Sequence, residues 1–301
     1  MRPFPLGQID DLTWRDRIAH VLRDVRFARS HNVFNVVPPG HYHSPVPALD
    51  EVPETAFAPR ADYPGIDFRI DGQLALGAEL SAYIEEMPFR RAAVDGLRYR
   101  LSNPFFYEAD GLVYYCLLRH WRPARIVEVG SGFSTALALD TAERFEEVSP
   151  HITAIDPNPQ RLRSLVRPGD DLEILEAQVQ HVDPVLFERL EPGDVLFIDS
   201  SHVTKVASDV NWLFLEVLPR LPAGVRVHVH DMFYPEYPRI FFYGGMHWNE
   251  AYLVRALLIG NAHLRIAWWN SYLGAEHADA VSALLPGWDA ATASSLWLET
   301  V

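Results

Sequence analysis

Two short apolar runs of the chain end in chemistry-bearing residues, one at Asp199-Ser-Ser-His202 and the next at His230-Asp231. Carboxylates and an imidazole at neighbouring strand ends suit a hard divalent cation such as Mg2+, with Asp199, His230 and Asp231 as its ligands. Such an ion lowers the pKa of a bound hydroxyl, which is a poor nucleophile while protonated. His202 stands three residues past Asp199, placed to accept that proton as the catalytic base. The plainer reading makes Asp199 and Asp231 strand-end caps and the two histidines packed or surface residues. A second centre lies upstream, in Arg125-Ile-Val-Glu-Val-Gly-Ser-Gly-Phe-Ser-Thr-Ala-Leu-Ala-Leu139. Gly130 and Gly132 let backbone approach a ligand, and Ser134 or Thr135 can cap the following helix. Asp156 closes another apolar run 28 residues after Glu128, where a carboxylate can accept both hydroxyls of a ribose. Gln178 and Gln180 are candidates for an adenine edge.

These positions need a scaffold that brings strand ends together. Arg125–Val129, Ile152–Asp156, Leu172–Glu176, Val195–Asp199 and Val225–Val229 are short and rich in branched apolar residues, as strands covered on both faces are. Helical stretches separate them at intervals of 20–30 residues. This alternation predicts an α/β fold with a doubly wound, right-handed, parallel Rossmann-like sheet, whose ligands sit beyond the carboxyl ends of the strands. Further helices are expected at Gly77–Glu86, Gly111–Trp121, Ala207–Leu218 and Asn249–Ile259, and further strands at His263–Trp269 and Ser295–Thr300. Residues 1–104 read as an amino-terminal cap or lid, and residues 105–301 as the cofactor-binding domain. The Pro-bounded loop holding His41-Tyr42-His43 could close over a substrate or remain plain surface.

The dinucleotide fingerprint wants a third glycine where this chain has Thr135, which argues against NAD or FAD. Glu128-Val-Gly-Ser-Gly132 instead resembles the E/D-x-G-x-G signature of class I S-adenosylmethionine-dependent methyltransferases. Together with Ile198-Asp-Ser-Ser-His202 and His230-Asp231, it resembles the metal-dependent O-methyltransferases. Within these it is most similar to bacterial enzymes that methylate sugar hydroxyls of macrolides and to the cephalosporin-hydroxylase-like group. The resemblance runs from about Asn103 to the carboxyl terminus. It implies S-adenosyl-L-methionine held by Glu128, Gly130, Ser131, Gly132, Ser134, Asp156 and Gln178, a metal on Asp199 and Asp231, and a sugar or natural-product hydroxyl as acceptor. Relatives show Asp-Asp or Asp-Asn where this chain has His230-Asp231, so the alternatives are a softer ion such as Mn2+ or Fe2+, or a site to which His230 does not bind. Catechol-type relatives carry lysine at the position of His202. The rival readings are a hydroxylase-like or hydrolytic metal enzyme on the same scaffold, and a non-catalytic cofactor-binding protein.

Composition narrows the partners. A chain of 301 residues with 49% hydrophobic content can bury a full core. Net charge is −14, the wrong sign for tracking phosphates, so no nucleic-acid partner is expected. Twenty-five of the 26 basic residues are arginine and one is lysine, Lys205. The single cysteine, Cys116, allows no internal disulfide, and neither a signal core nor a membrane-length apolar run is present. A cytoplasmic enzyme with a small-molecule acceptor and no membrane partner is the expectation, with a homo-oligomer left open.

Overall fold

In the computed structural model the described residues are 40–301, without 49, 59–62 and 244, together with positions 18, 22 and 26. The rest of the expected cap up to residue 39 lies outside them. Seven short strands form one sheet: β1 (Arg125–Val129), β2 (His151–Ile155), β3 (Leu172–Leu175), β4 (Val195–Ile198), β5 (Arg226–Val229), β6 (Leu264–Trp269) and β7 (Leu296–Thr300). Their order is β3-β2-β1-β4-β5-β7-β6. β1 to β5 pair in parallel, and β1 and β4 are fully buried over most of their length because helices cover both faces. Chain order reverses between β1 and β4, the switch point at which such sheets leave a crevice.

The sheet departs from an all-parallel one at β7. It slots between β5 and β6 and runs antiparallel to both, with Val227 facing Leu298 and Ile266 facing Leu298 from the other side. The connection from β6 explains the reversal. Two helices of seven residues each and a short turn separate β6 from β7, and the returning strand is inserted rather than added at the edge.

The helices are α1 (Ile70–Leu80), α2 (Glu108–Trp121), α3 (Phe133–Arg144), α4 (Gln160–Arg163), α5 (Val185–Glu188), α6 (Asp209–Trp212), α7 (Arg239–Tyr243), α8 (Glu250–Leu258), α9 (Asn270–Glu276) and α10 (Ala278–Leu284). α1 begins seven residues before the expected Gly77. Arg69 turns the chain with a left-handed backbone, φ 50°, while Asp67 accepts its N–H at 2.9 Å and Gln73 donates to the Phe68 carbonyl at 2.6 Å. Those local bonds start the helix where no apolar period signals it. Gln73, Gly77 and Leu80 then form its buried face, and a Cβ at Gly77 would stand 3.2 Å from both Leu284 and Trp268. The helix expected at Ala207–Leu218 starts as α6 and continues as a π turn over Leu213–Val217.

The chain divides into two compact units, Met1–Ala58 with Glu236–His247, and Pro59–Pro235 with Trp248–Val301. In the first, Arg239 pairs with Glu54 and covers the Phe57 ring at 5.1 Å. In the second, α1 packs on β6, and the segment to Leu101 packs on α2 and α3. The Arg98 guanidinium, with only 2% of its side chain exposed, bonds Asp140 of α3 at 2.7 Å and Asp170 at 2.5 Å. Asp110 on α2 is equally buried and accepts from Asn270, Ser294 and Ser295, tying α2 to the start of β7. Among the described residues no helix is long and apolar enough to cross a membrane.

Candidate functional site

A cleft of about 510 Å³ opens beyond the carboxyl ends of β1, β2 and β4, where the fold places ligands. Gly130, Asp156, Gln178, Gln180, Asp199 and Lys205 line it. Gly130 has φ 79°, and a Cβ there would lie 2.1 Å from the Asp199 carbonyl oxygen, so no side chain fits between β1 and β4. Gly132 has φ 161° and ψ −109°, and the nearest atoms a Cβ would meet belong to the flexible Arg161 side chain, at 3.1 Å. Of the two glycines, Gly130 carries the steric requirement.

The remaining loop residues form a brace behind the cleft rather than its wall. Glu128 is 1% exposed and accepts hydrogen bonds from the Ser134 and Thr135 hydroxyls, the latter at 2.6 Å. Thr135 also accepts the Gly132 N–H at 3.1 Å. Threonine where a dinucleotide loop has glycine therefore has a positive role, joining the acidic residue to the glycine turn. Burial pushes the Glu128 carboxyl up to about 7, even though both hydroxyls favour its charged form. Asp156 accepts from Ser131 N–H at 3.2 Å, Ser131 hydroxyl at 3.0 Å and Asn158 N–H at 2.7 Å. It lines the cleft while holding the loop. Gln180 donates to the Ala207 carbonyl at 3.2 Å, linking the end of β3 to the segment after β4.

On the far side of Asp199 lies the second cluster. His202 Nε2 is 3.3 Å from Asp199 Oδ1 and 3.8 Å from Asp231 Oδ2, so both strand-end carboxylates converge on one ring nitrogen. The other nitrogen, Nδ1, is 2.8 Å from Glu250 Oε2. Burial alone would lower the His202 pKa, yet Asp199 and Glu250 hold it well above the ordinary histidine value. Enclosure would raise the Asp199 carboxyl, but the bond from His202 and the charge of His230 hold it below its usual value. For Asp231 burial wins and its pKa is raised.

The donor set does not fit a closed metal site. Among the described residues no group of three or more His, Cys, Asp or Glu is arranged to hold an ion. The point between Asp199 and Asp231 is taken by the His202 ring edge. His230 Nε2 stands 3.8 Å from Asp231 Oδ1, while its ring packs against Phe106 and His228 at centroid distances of 5.3 and 5.5 Å. His230 Nδ1 and both nitrogens of His228 are buried without a hydrogen-bond partner among the described residues. Asp199, His230 and Asp231 are thus neighbours, but they do not make a ligand triad.

The pairing of Glu250 with His202 escaped the sequence reading, whereas the aromatics of Met246–Tyr252, Trp248 among them, were expected beside the pocket. A glutamate at the first position of a helix reads as a complement to the helix dipole. Nothing in the sequence places it against a histidine 48 residues earlier. The Trp248 ring packs against that of His202, tilted by 41° with centroids 4.3 Å apart.

A methyltransferase-domain family model matches residues 127–232, from β1 to the loop after β5. An uncharacterized protein of Archaeoglobus fulgidus is 34% identical over 167 residues, spanning 53% of this chain and 76% of that protein. Similar solved structures include the methyltransferase PaMTH1 of Podospora anserina bound to S-adenosylhomocysteine, with 14% identity, a TM-score of 0.42 and coverage of 76% of this chain and 88% of that one. The O-methyltransferase TomG of Streptomyces achromogenes, in complex with S-adenosylmethionine, has 15% identity, a TM-score of 0.35 and coverage of 76% and 89%. A CmcI structure described as Mg-SAM has 19% identity, a TM-score of 0.37 and coverage of 65% and 72%. Sheet order and glycine loop agree with a methyltransferase domain over residues 127–232. The chain belongs to the same family as the archaeal protein.

Proposed function

We propose that the protein moves the methyl group of S-adenosylmethionine to a hydroxyl of a small molecule, a sugar or natural product. One observation carries this reading. Asp199 lines the cofactor-sized cleft and also touches His202 at 3.3 Å, so the cofactor side and a proton-accepting side share a wall. Asp156 would take the ribose, Gln178 and Gln180 the adenine end, and the Gly130 backbone the amino-acid end. In the transfer the acceptor oxygen attacks the methyl carbon, the carbon–sulfur bond breaks, and S-adenosylhomocysteine leaves neutral at sulfur. The acceptor proton passes to Nε2 of neutral His202, and the products are the methyl ether and the imidazolium. Holding an acceptor at Asp199 turns a bimolecular encounter into a positioned one.

Carboxylates at both ring nitrogens favour imidazolium, so turnover should rise with pH through a range above that of free histidine. The acidic pair Asp199–Asp231 is the place a divalent ion would occupy, in competition with the His202 ring edge. The reading is tested by following S-adenosylhomocysteine release over a panel of sugar and macrolide hydroxyls, with wild type against His202→Ala. Release that requires an acceptor and His202 supports it; release only with amine or thiol acceptors contradicts it.

A further inference from the structure

The segment carrying His202 is held from outside itself. His202 adopts a left-handed backbone, φ 59°, which a non-glycine residue keeps only where its surroundings over-determine it. The start of α8 supplies the determination. The N–H groups of Asn249 and Glu250 donate to the His202 carbonyl at 3.0 and 3.2 Å, and Asn249 Oδ1 accepts the Thr204 N–H at 2.5 Å. Trp248 closes on the imidazole face. Glu250 is 0% exposed and both of its oxygens are engaged. Oε2 meets His202 Nδ1 at 2.8 Å, and Oε1 accepts from the Ser200 hydroxyl at 2.8 Å, which itself accepts the His202 N–H at 3.1 Å.

A glutamate at a helix start ordinarily serves its own helix, but α8 has no side-chain cap bond and the Glu250 oxygens point to the segment after β4 instead. An ionised carboxylate only accepts hydrogen bonds. The ring nitrogen it meets must therefore carry a proton, whether the imidazole is neutral or charged. With Nδ1 fixed as the donor, the exchangeable position is Nε2, the edge that faces Asp199 and Asp231. We propose that Glu250 is the positioning residue of the site. It selects the Nδ1–H form of His202 and aims Nε2 at the acceptor position, and Trp248 and Asn249 fix the ring and its backbone. This rests on the reading of His202 as the proton acceptor.

The test uses the full chain labelled with nitrogen-15 at histidine. A Nδ1–H held by a buried carboxylate exchanges slowly and resonates far downfield, and loss of the signal in His202→Asn assigns it. The signal should be present in wild type and in Ser200→Ala, and lost or moved upfield in Glu250→Gln. Its persistence unchanged in Glu250→Gln overturns the proposal. Should that variant fail to fold, the wild-type ring decides alone: a His202 whose neutral form carries its proton on Nε2 overturns it equally. S-adenosylhomocysteine affinity in the folded Glu250→Gln protein should stay within twofold of wild type, because Glu250 does not line the cleft. If wild type binds no S-adenosylhomocysteine, the methyl-transfer reading falls while the Nδ1 result stands.

Discussion

The two halves of the site are built over different distances along the chain. On the cofactor side Glu128 meets Ser134 and Thr135, and Asp156 meets Asn158 and Ser131, so no partner is more than 25 residues away. On the other side His202 depends on Glu250, 48 residues on, and on Asp231 from the next strand. The first half is a local motif specified within β1, the loop and helix after it, and the end of β2. The second exists only after the sheet has set β4 beside β5 and α8 has docked on the segment after β4.

The largest effect expected from this contrast is at Gly130. An alanine there needs a left-handed backbone and meets the Asp199 carbonyl at 2.1 Å, and both are backbone constraints that cannot relax cheaply. Gly130→Ala should cost roughly 2–5 kcal/mol of stability, read by urea denaturation. Gly132→Ala should stay within about 1 kcal/mol of wild type by the same measurement, since its neighbour is a mobile arginine end. Equal losses at the two glycines would show that the loop, not the β1–β4 approach, sets the requirement.

His202→Ala tests the long-range half. It should lower turnover by roughly 10²–10⁴-fold with a competent acceptor, while S-adenosylhomocysteine affinity remains near wild type. Removing the ring edge also frees the space between Asp199 and Asp231. Mn2+ should then bind the variant more tightly than wild type in calorimetry, and Asp231→Asn in the same background should abolish that gain. Equal Mn2+ affinity with and without His202 would show that the imidazole does not stand in the ion's place.

These differences also account for what the sequence disclosed. β1 was legible to the residue, and the other strands to within one, because parallel buried strands are continuous apolar runs. The glycine loop was legible because its side-chain hydrogen-bond partners are local. The antiparallel direction of β7 was not, since its run of Leu296-Trp-Leu298 is apolar whichever way it runs. α1 was misplaced because its start depends on Asp67, Arg69 and Gln73 rather than on an apolar period. The approach of Asp199 and Asp231 to one point followed from strand order, but its occupant is the His202 ring edge rather than His230, and Glu250 could not be foreseen because helix docking leaves no spacing signal.

Glu128 gives a predicted effect with a definite sign. Its carboxyl sits at about 7 in the folded chain against 4.5 as the reference value, so between these values the folded state holds the proton more tightly. Its contribution to stability is present below about pH 4.5 and declines as pH rises toward 7. The full loss corresponds to roughly 3 kcal/mol, at 1.36 kcal/mol per unit. Glu128→Gln should flatten that decline in denaturation midpoints compared at acid and mildly alkaline pH. An unchanged slope would mean that Glu128 is ionised in the folded chain throughout.

The measurement that bears most directly on the account is a calorimetric titration of S-adenosylhomocysteine into wild type and Asp156→Ala, with NAD as the competing ligand. The account predicts binding to wild type, no comparable affinity for NAD, and at least tenfold weaker binding to Asp156→Ala, about 1.4 kcal/mol. Equal affinity for NAD, or an Asp156→Ala protein that binds as wild type does, would contradict the cleft beyond β1, β2 and β4 as the methyl donor's site.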